Sequence, residues 1–171
     1  MLRFPGTGVA ILLICGAAAA QTPASSEAAA TLPIRHVMTL DIAHHVLAAA
    51  EAEARQHNWP GAIAIVDAEG YLITSDRMDG SPMLASVELA PAKARTAALF
   101  GKSTKALEDA IRSGRYAAVT SGFVEMVGGV PLVVDGEEVG AIGVSTAQPD
   151  WDIQIASAGA ASLAGFLAEQ P

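Results

Sequence analysis

The segment from Gly128 to Ser145, GGVPLVVDGEEVGAIGVS, constrains the fold more than any other stretch of the chain. Two short apolar runs flank Asp135-Gly136, and this dipeptide makes a two-residue hairpin turn because both of its positions accept positive φ. Two antiparallel strands are expected here. Gly128, Gly129, Gly140 and Gly143 leave the strands without side chains at four positions. Such gaps admit another backbone, as in bulges and tight helix packing, or a flat ligand, and packing alone favours the first. The following STAQPDWDIQIASAGAASLAG reads as a loop, a helix start capped at Asp150 or Asp152, and an alanine-rich helix folded back on the sheet.

Upstream, Thr39 is the expected N-cap of a helix running to about Asn58, with Asp41 in its first turn. Leu40, Ala43, Val46, Leu47, Ala50 and Ala54 form its apolar stripe. Trp59-Pro60-Gly61 ends it. AIAIVD and YLITSD then flank Ala68-Glu69-Gly70, a second hairpin. Ser86 to Phe100 reads as a helix if Pro91 falls in its first turn, where amide protons lack internal partners. Ser103 or Thr104 caps a further helix through Leu107 and Ile111 to Gly114. Strands arriving in hairpin pairs between helices predict an α/β (α+β) single domain: a central antiparallel sheet with flanking helices.

A chain of 171 residues has room for one such core. Its 18 acidic residues against 10 basic ones argue against a nucleic-acid or anionic-membrane surface, since both need clustered cations. Residues 1–20 read as a signal peptide: Arg3, the apolar run Val9 to Cys15, then Ala18-Ala19-Ala20 before Gln21. Cleavage there removes Cys15, the one cysteine, and with it any thiolate chemistry. The expectation is a periplasmic or secreted protein with no stable membrane span after cleavage. Residues 21–35 are small, polar and proline-interrupted, a flexible leader, so the domain is expected over 36–171.

Few residues invite chemistry. His44 and His45 are adjacent and so cannot both face one metal, although His44 alone suits an axial ligand; His45 reads as solvated and His57 as packed or capping. Asp76 and Asp79 flank Arg77, which fits a salt-bridged turn or, as a minor reading, a surface site for a hard cation. Lys93 and Thr96 share a helix face. GKST at 101–104 is not a phosphate loop, because Thr96 stands where the first glycine belongs and a helix precedes it instead of a strand.

RMDGS at 77–81, APAKARTAALF at 90–100, Thr104, the glycine-rich hairpin and a final DIQIASAGAA together resemble the GlcG/HbpS family, which includes the C-terminal domain of PduO-type corrinoid adenosyltransferases. The resemblance covers Leu40 to about Leu167 and departs at Ser145-Thr146, where the family usually shows serine then glycine, and at Pro149 and Trp151 in the loop that follows. It implies a profilin-like domain that assembles into a homo-oligomer, several members of which bind haem. On that reading the protein is an exported haem binder in haem or iron handling or redox sensing. His44 or His36 would ligate the iron, Lys93 and Arg77 would meet the propionates, and Thr96 or Thr120 would hydrogen-bond nearby, beside Gly128 and Gly129. The low aromatic content, 5%, weighs against a haem pocket. Two alternatives stand beside it. In one, a small organic acid is bound or acted on by Lys93, Thr96, Asp79 and the amides near Gly128 and Gly129. In the other, a structural or sensory oligomer contacts another exported protein. No catalytic signature is present, which favours a binding protein over an enzyme.

Overall fold

The computed structural model describes residues 33–168. The signal-peptide reading and nearly all of the leader lie outside these residues. Helix α1 (Leu40–His57) starts where its cap directs: the Thr39 hydroxyl accepts a hydrogen bond from the Ile42 amide at 3.3 Å. Ala43, Val46, Leu47, Ala50 and Ala54 are its buried stripe, and Asn58 closes it in the left-handed conformation. The first hairpin is β1 (Ala62–Asp67) and β2 (Leu72–Arg77). Helix α2 (Ser86–Phe100) follows, then α3 (Thr104–Arg112), capped by Ser103, and a 3-10 turn over Tyr116–Thr120. The second hairpin is β3 (Gly129–Val134) and β4 (Glu137–Ser145), with Asp135 and Gly136 both at positive φ as the dipeptide requires. Helix α4 (Pro149–Ala168) ends the described chain.

The strand order is β2-β1-β4-β3, antiparallel throughout, so β1 and β4 join the two hairpins. Opposed residues share a face. Ile63 opposes Val144 and Ile65 opposes Ile142, and this face packs with Val46, Leu47, Ile155 and Leu163 of α1 and α4 into the main core. On the other face Ala64 opposes Gly143, which opposes Gly129 on β3. Against this surface of small residues lie Ala90, Ala94, Ala97 and Ala98 of α2.

The glycines of the hairpin therefore admit a backbone. A Cβ at Gly143 would overlap the Ala90 carbonyl oxygen, and one at Gly129 would overlap the Lys93 carbonyl oxygen. Helix α2 sits directly on the strands, closer than any side chain allows. Pro91 differs from expectation: it is the sixth residue of α2, beyond the first turn. The carbonyl it leaves without its i+4 helical partner belongs to Val87, an exposed residue. Among the described residues no helix is long and apolar enough to cross a membrane.

Gly143→Ala is expected to lower stability by about 2–3 kcal/mol, because the helix must lift from the sheet to admit the methyl. Gly165→Ala, on α4 with nothing within 4 Å of the new methyl, is the control and should be neutral or stabilising by up to about 1 kcal/mol. Urea unfolding of both variants measures this, and a Gly143→Ala midpoint equal to wild type would contradict the close packing.

Candidate functional site

Lys93 and Thr96 lie on the buried face of α2 as their spacing requires. Lys93 is 2% exposed, and its ammonium donates to the Val144 carbonyl oxygen (3.0 Å) and to Asp152 Oδ2 (2.7 Å). Asp152 Oδ1 accepts from the Thr146 amide and hydroxyl, both at 2.6 Å. Asp152, expected as a cap, is instead the counter-ion of a buried lysine. Thr146, at the departure from the family pattern, supplies two of its hydrogen bonds. Gly128 is needed beside this pair, since a Cβ there would stand 3.2 Å from the Lys93 Nζ and overlap the Val144 carbonyl oxygen. Lys93 is thus a packing cation, not a group that meets propionates or a substrate carboxylate at an open surface.

Thr96 also acts within the fold. Its hydroxyl donates to the Ala92 carbonyl oxygen (2.8 Å) and accepts from the Val124 amide (3.2 Å). Thr104 accepts from the Gly129 amide (2.8 Å), and Glu108 accepts from the Val127 amide (2.8 Å) while pairing with Arg112. Three side chains of α2 and α3 thus pin residues 124–129 against the helices. Thr120 ends the exposed 3-10 turn and caps its own Ala117 carbonyl (2.8 Å).

The remaining expected residues are scattered. Arg77 is exposed at the end of β2 and, among the described residues, pairs with neither Asp76 nor Asp79. These three border an open polar hollow with Glu51 and Arg55. Among the described residues no group of three or more His, Cys, Asp or Glu is placed to hold a metal ion together, and Glu51 in this hollow is paired with Arg55. His44 is exposed on α1. His45, expected in solvent, stacks on Phe166 with ring centres 4.3 Å apart. His57 packs as expected, stacked on Trp59 at 4.3 Å.

His36 is placed differently. Its Nδ1 lies 2.8 Å from Glu137 Oε2, at the first residue of β4, and its amide donates to the same oxygen at 3.3 Å. Arg35 reaches Glu137 Oε1 (3.4 Å) and Glu69 (3.5 Å). The hydrogen bonds from His36 hold the Glu137 carboxyl below the usual carboxylate range, whereas burial pushes that of neighbouring Glu138 up. His36 lines a cleft of about 310 Å³ with Arg35, Val37, Met38, Val139 and the β1–β2 turn residues Asp67 to Glu69. His36, Val37, Met38 and Val139 also border a smaller cavity of about 90 Å³ that reaches Ile42, Val134 and Leu163. Among the described residues His36 Nε2 has no hydrogen-bond partner.

The two clusters are at opposite ends of the sheet. Glu137 opens β4 and Val144 nearly closes it, which separates them by about 23 Å at the rise of an extended strand. Arg77 belongs to the Lys93 end, since its partner Ala62 also pairs with Ser145. The expected haem set is therefore not one site: His36 stands apart from Lys93, Arg77, Gly128 and Gly129. Arg35, Met38, Glu137 and Val139 were not anticipated. Arg35 was read as leader, and Glu137 meets His36 across 101 residues, a pairing visible only once β4 is placed.

Comparison with known proteins agrees with the fold. The model of a family described as "Haem degrading protein HbpS-like" matches residues 38–161. Protein GlcG of Escherichia coli is 40% identical over 110 residues, 64% of this chain and 81% of GlcG. A crystal structure of a double mutant of Streptomyces reticuli HbpS is similar at a TM-score of 0.70 and 31% identity, covering 82% of this chain and 99% of that one. A crystal structure of a PduOC:heme complex is similar at 0.67 and 30% identity, covering 74% and 95%. With a four-stranded antiparallel sheet, its covering helices and a match over most of its length, the chain belongs to the HbpS-like family.

Proposed function

We propose that the protein binds haem in the cleft lined by Arg35 to Met38, where His36 Nε2 would be the donor to the iron. The observation that carries this reading is the His36–Glu137 contact at the cleft. A carboxylate on Nδ1 fixes the imidazole's orientation and tautomer and leaves the lone pair on Nε2, the arrangement that metal-ligating histidines require. The surroundings fit the group as well. Val37, Met38 and Val139, with Ile42 and Leu163 beyond, offer apolar contact to a macrocycle, and Arg35 is a cation for a propionate to share with Glu69. The PduOC relative whose haem complex is solved supports haem as the ligand. Haem, once bound, supplies iron-centred redox and ligand chemistry. The chain supplies the donor, its orientation and the apolar wall.

Two further parts of the reading rest on other observations. The apolar run Val9 to Cys15 before Ala18-Ala19-Ala20 supports export, so that haem is met in the periplasm or outside the cell. The exposed apolar side chains Tyr116, Val119, Phe123 and Met126 around the 3-10 turn support a homo-oligomer. The small-acid alternative has less behind it, because the ammonium it needs is already bonded to Asp152 and buried.

Titration of the protein with haemin, followed in the Soret region, is expected to saturate at one haem per chain. His36→Ala should weaken binding at least about tenfold and lose the shifted band, while His44→Ala behaves as wild type. The same weak, unsaturating response from all three proteins would overturn the assignment, and loss of the shift in His44→Ala alone would move the ligand to α1. For the Lys93 end, Asp152→Ala is expected to destabilise the fold by about 3–5 kcal/mol in urea, since it strands a buried charge. An unchanged midpoint would restore Lys93 as a free cation.

A further inference from the structure

We infer that residues Ile34 to Thr39 form a strap clasped by Glu137, and that release of this clasp opens the cleft. Burial does not hold the segment: Ile34 is 99% and Val37 73% exposed, and Met38 is the residue that packs against the core. What ties the segment down ahead of Met38 is charge. Glu137 receives the His36 imidazole, the His36 amide and the Arg35 guanidinium, and Glu69 receives Arg35 again. Exposed ion pairs of this kind are weak singly and are screened by salt, so the strap detaches far more readily than the domain unfolds.

The consequence is geometric. His36, Val37 and Met38 are walls of both the larger cleft and the smaller apolar cavity. A strap that swings about Met38 and Thr39, just ahead of α1, takes His36 and Val37 out of the wall of each cavity and leaves Met38 and the opposite walls on β1, β4 and α4 in place. Glu137 is then a positioning residue as well as a clasp. It acts on the bound group through His36, and it sets how often the path beneath the strap is open. The role in ligand release rests on the haem reading, but the strap itself does not.

Hydrogen exchange of the ligand-free full-length protein, read on peptides covering residues 34–39 and 43–57, tests the device. Glu137→Gln is expected to speed exchange of the strap at least about fivefold and leave α1 at the wild-type rate. Glu138→Gln, one residue away, should change neither peptide. Added sodium chloride should speed strap exchange in wild type and have little effect in Glu137→Gln. In the haemin-loaded protein, Glu137→Gln should release haemin to a scavenging apo-globin faster by a similar factor, with Glu137→Asp between the two. Equal strap exchange in wild type and Glu137→Gln, or wild-type strap exchange already at the rate of an unstructured peptide, would overturn the clasp. If exchange responds as expected but no protein binds haemin, the strap stands and the haem reading falls. If haemin binds through His36 and exchange does not respond, the reverse holds.

Discussion

The rest of this structure depends on how closely α2 lies on the sheet. Two strand positions without side chains, Gly129 and Gly143, let the backbone of the helix come down on β3 and β4. That approach brings the Lys93 ammonium to the last residues of β4, where water is excluded. A buried ammonium is costly unless it is paired and hydrogen-bonded. Asp152 answers the charge from the first turn of α4, the Val144 carbonyl takes a further hydrogen bond, and Thr146 saturates the far oxygen of the carboxylate. One ion pair thus ties α2, β4 and α4 together. A helix set at another height would strand a buried charge.

This arrangement divides the sheet into two unlike ends. At the Lys93 end the loops are held by side chains, with Thr96, Thr104 and Glu108 gripping the backbone of residues 124–129. Nearby, a stack of His57, Trp59 and Trp151, spaced 4.3 and 4.9 Å, joins the end of α1 to the start of α4. At the other end are the two hairpin turns and the segment before α1, held by exposed carboxylates. A site that must admit a ligand suits the second end, because few buried contacts have to break there. The cleft, the imidazole and the positioning carboxylate are all found at that end.

What the sequence made legible was local. Asp135-Gly136 announced its hairpin, and Thr39 and Asn58 bounded α1, since each follows from a few neighbouring φ, ψ values. The glycine-rich hairpin carried the family as well. What stayed hidden was pairing over distance. Lys93 looked like a free cation because its partner lies 59 residues on, in a segment that reads as a helix cap. Nothing in the sequence set His36 apart from His44, because the carboxylate that holds His36 comes from a strand 101 residues away. Pro91 was misjudged for a smaller reason: the sequence placed the start of α2 correctly at Ser86, and from there Pro91 already stands at the sixth position, past the first turn, where the helix carries it. Composition was a poor guide too, since few aromatic residues do not exclude a cleft walled by Val37, Met38 and Val139.

The most direct test of the central claim is a crystal structure of the protein grown with haemin. Iron is expected on His36 Nε2, with Glu137 still on Nδ1 and the macrocycle against Val37, Met38 and Val139. Iron bonded to His44, or haem lodged over the 3-10 turn with the His36 cleft empty, would contradict it.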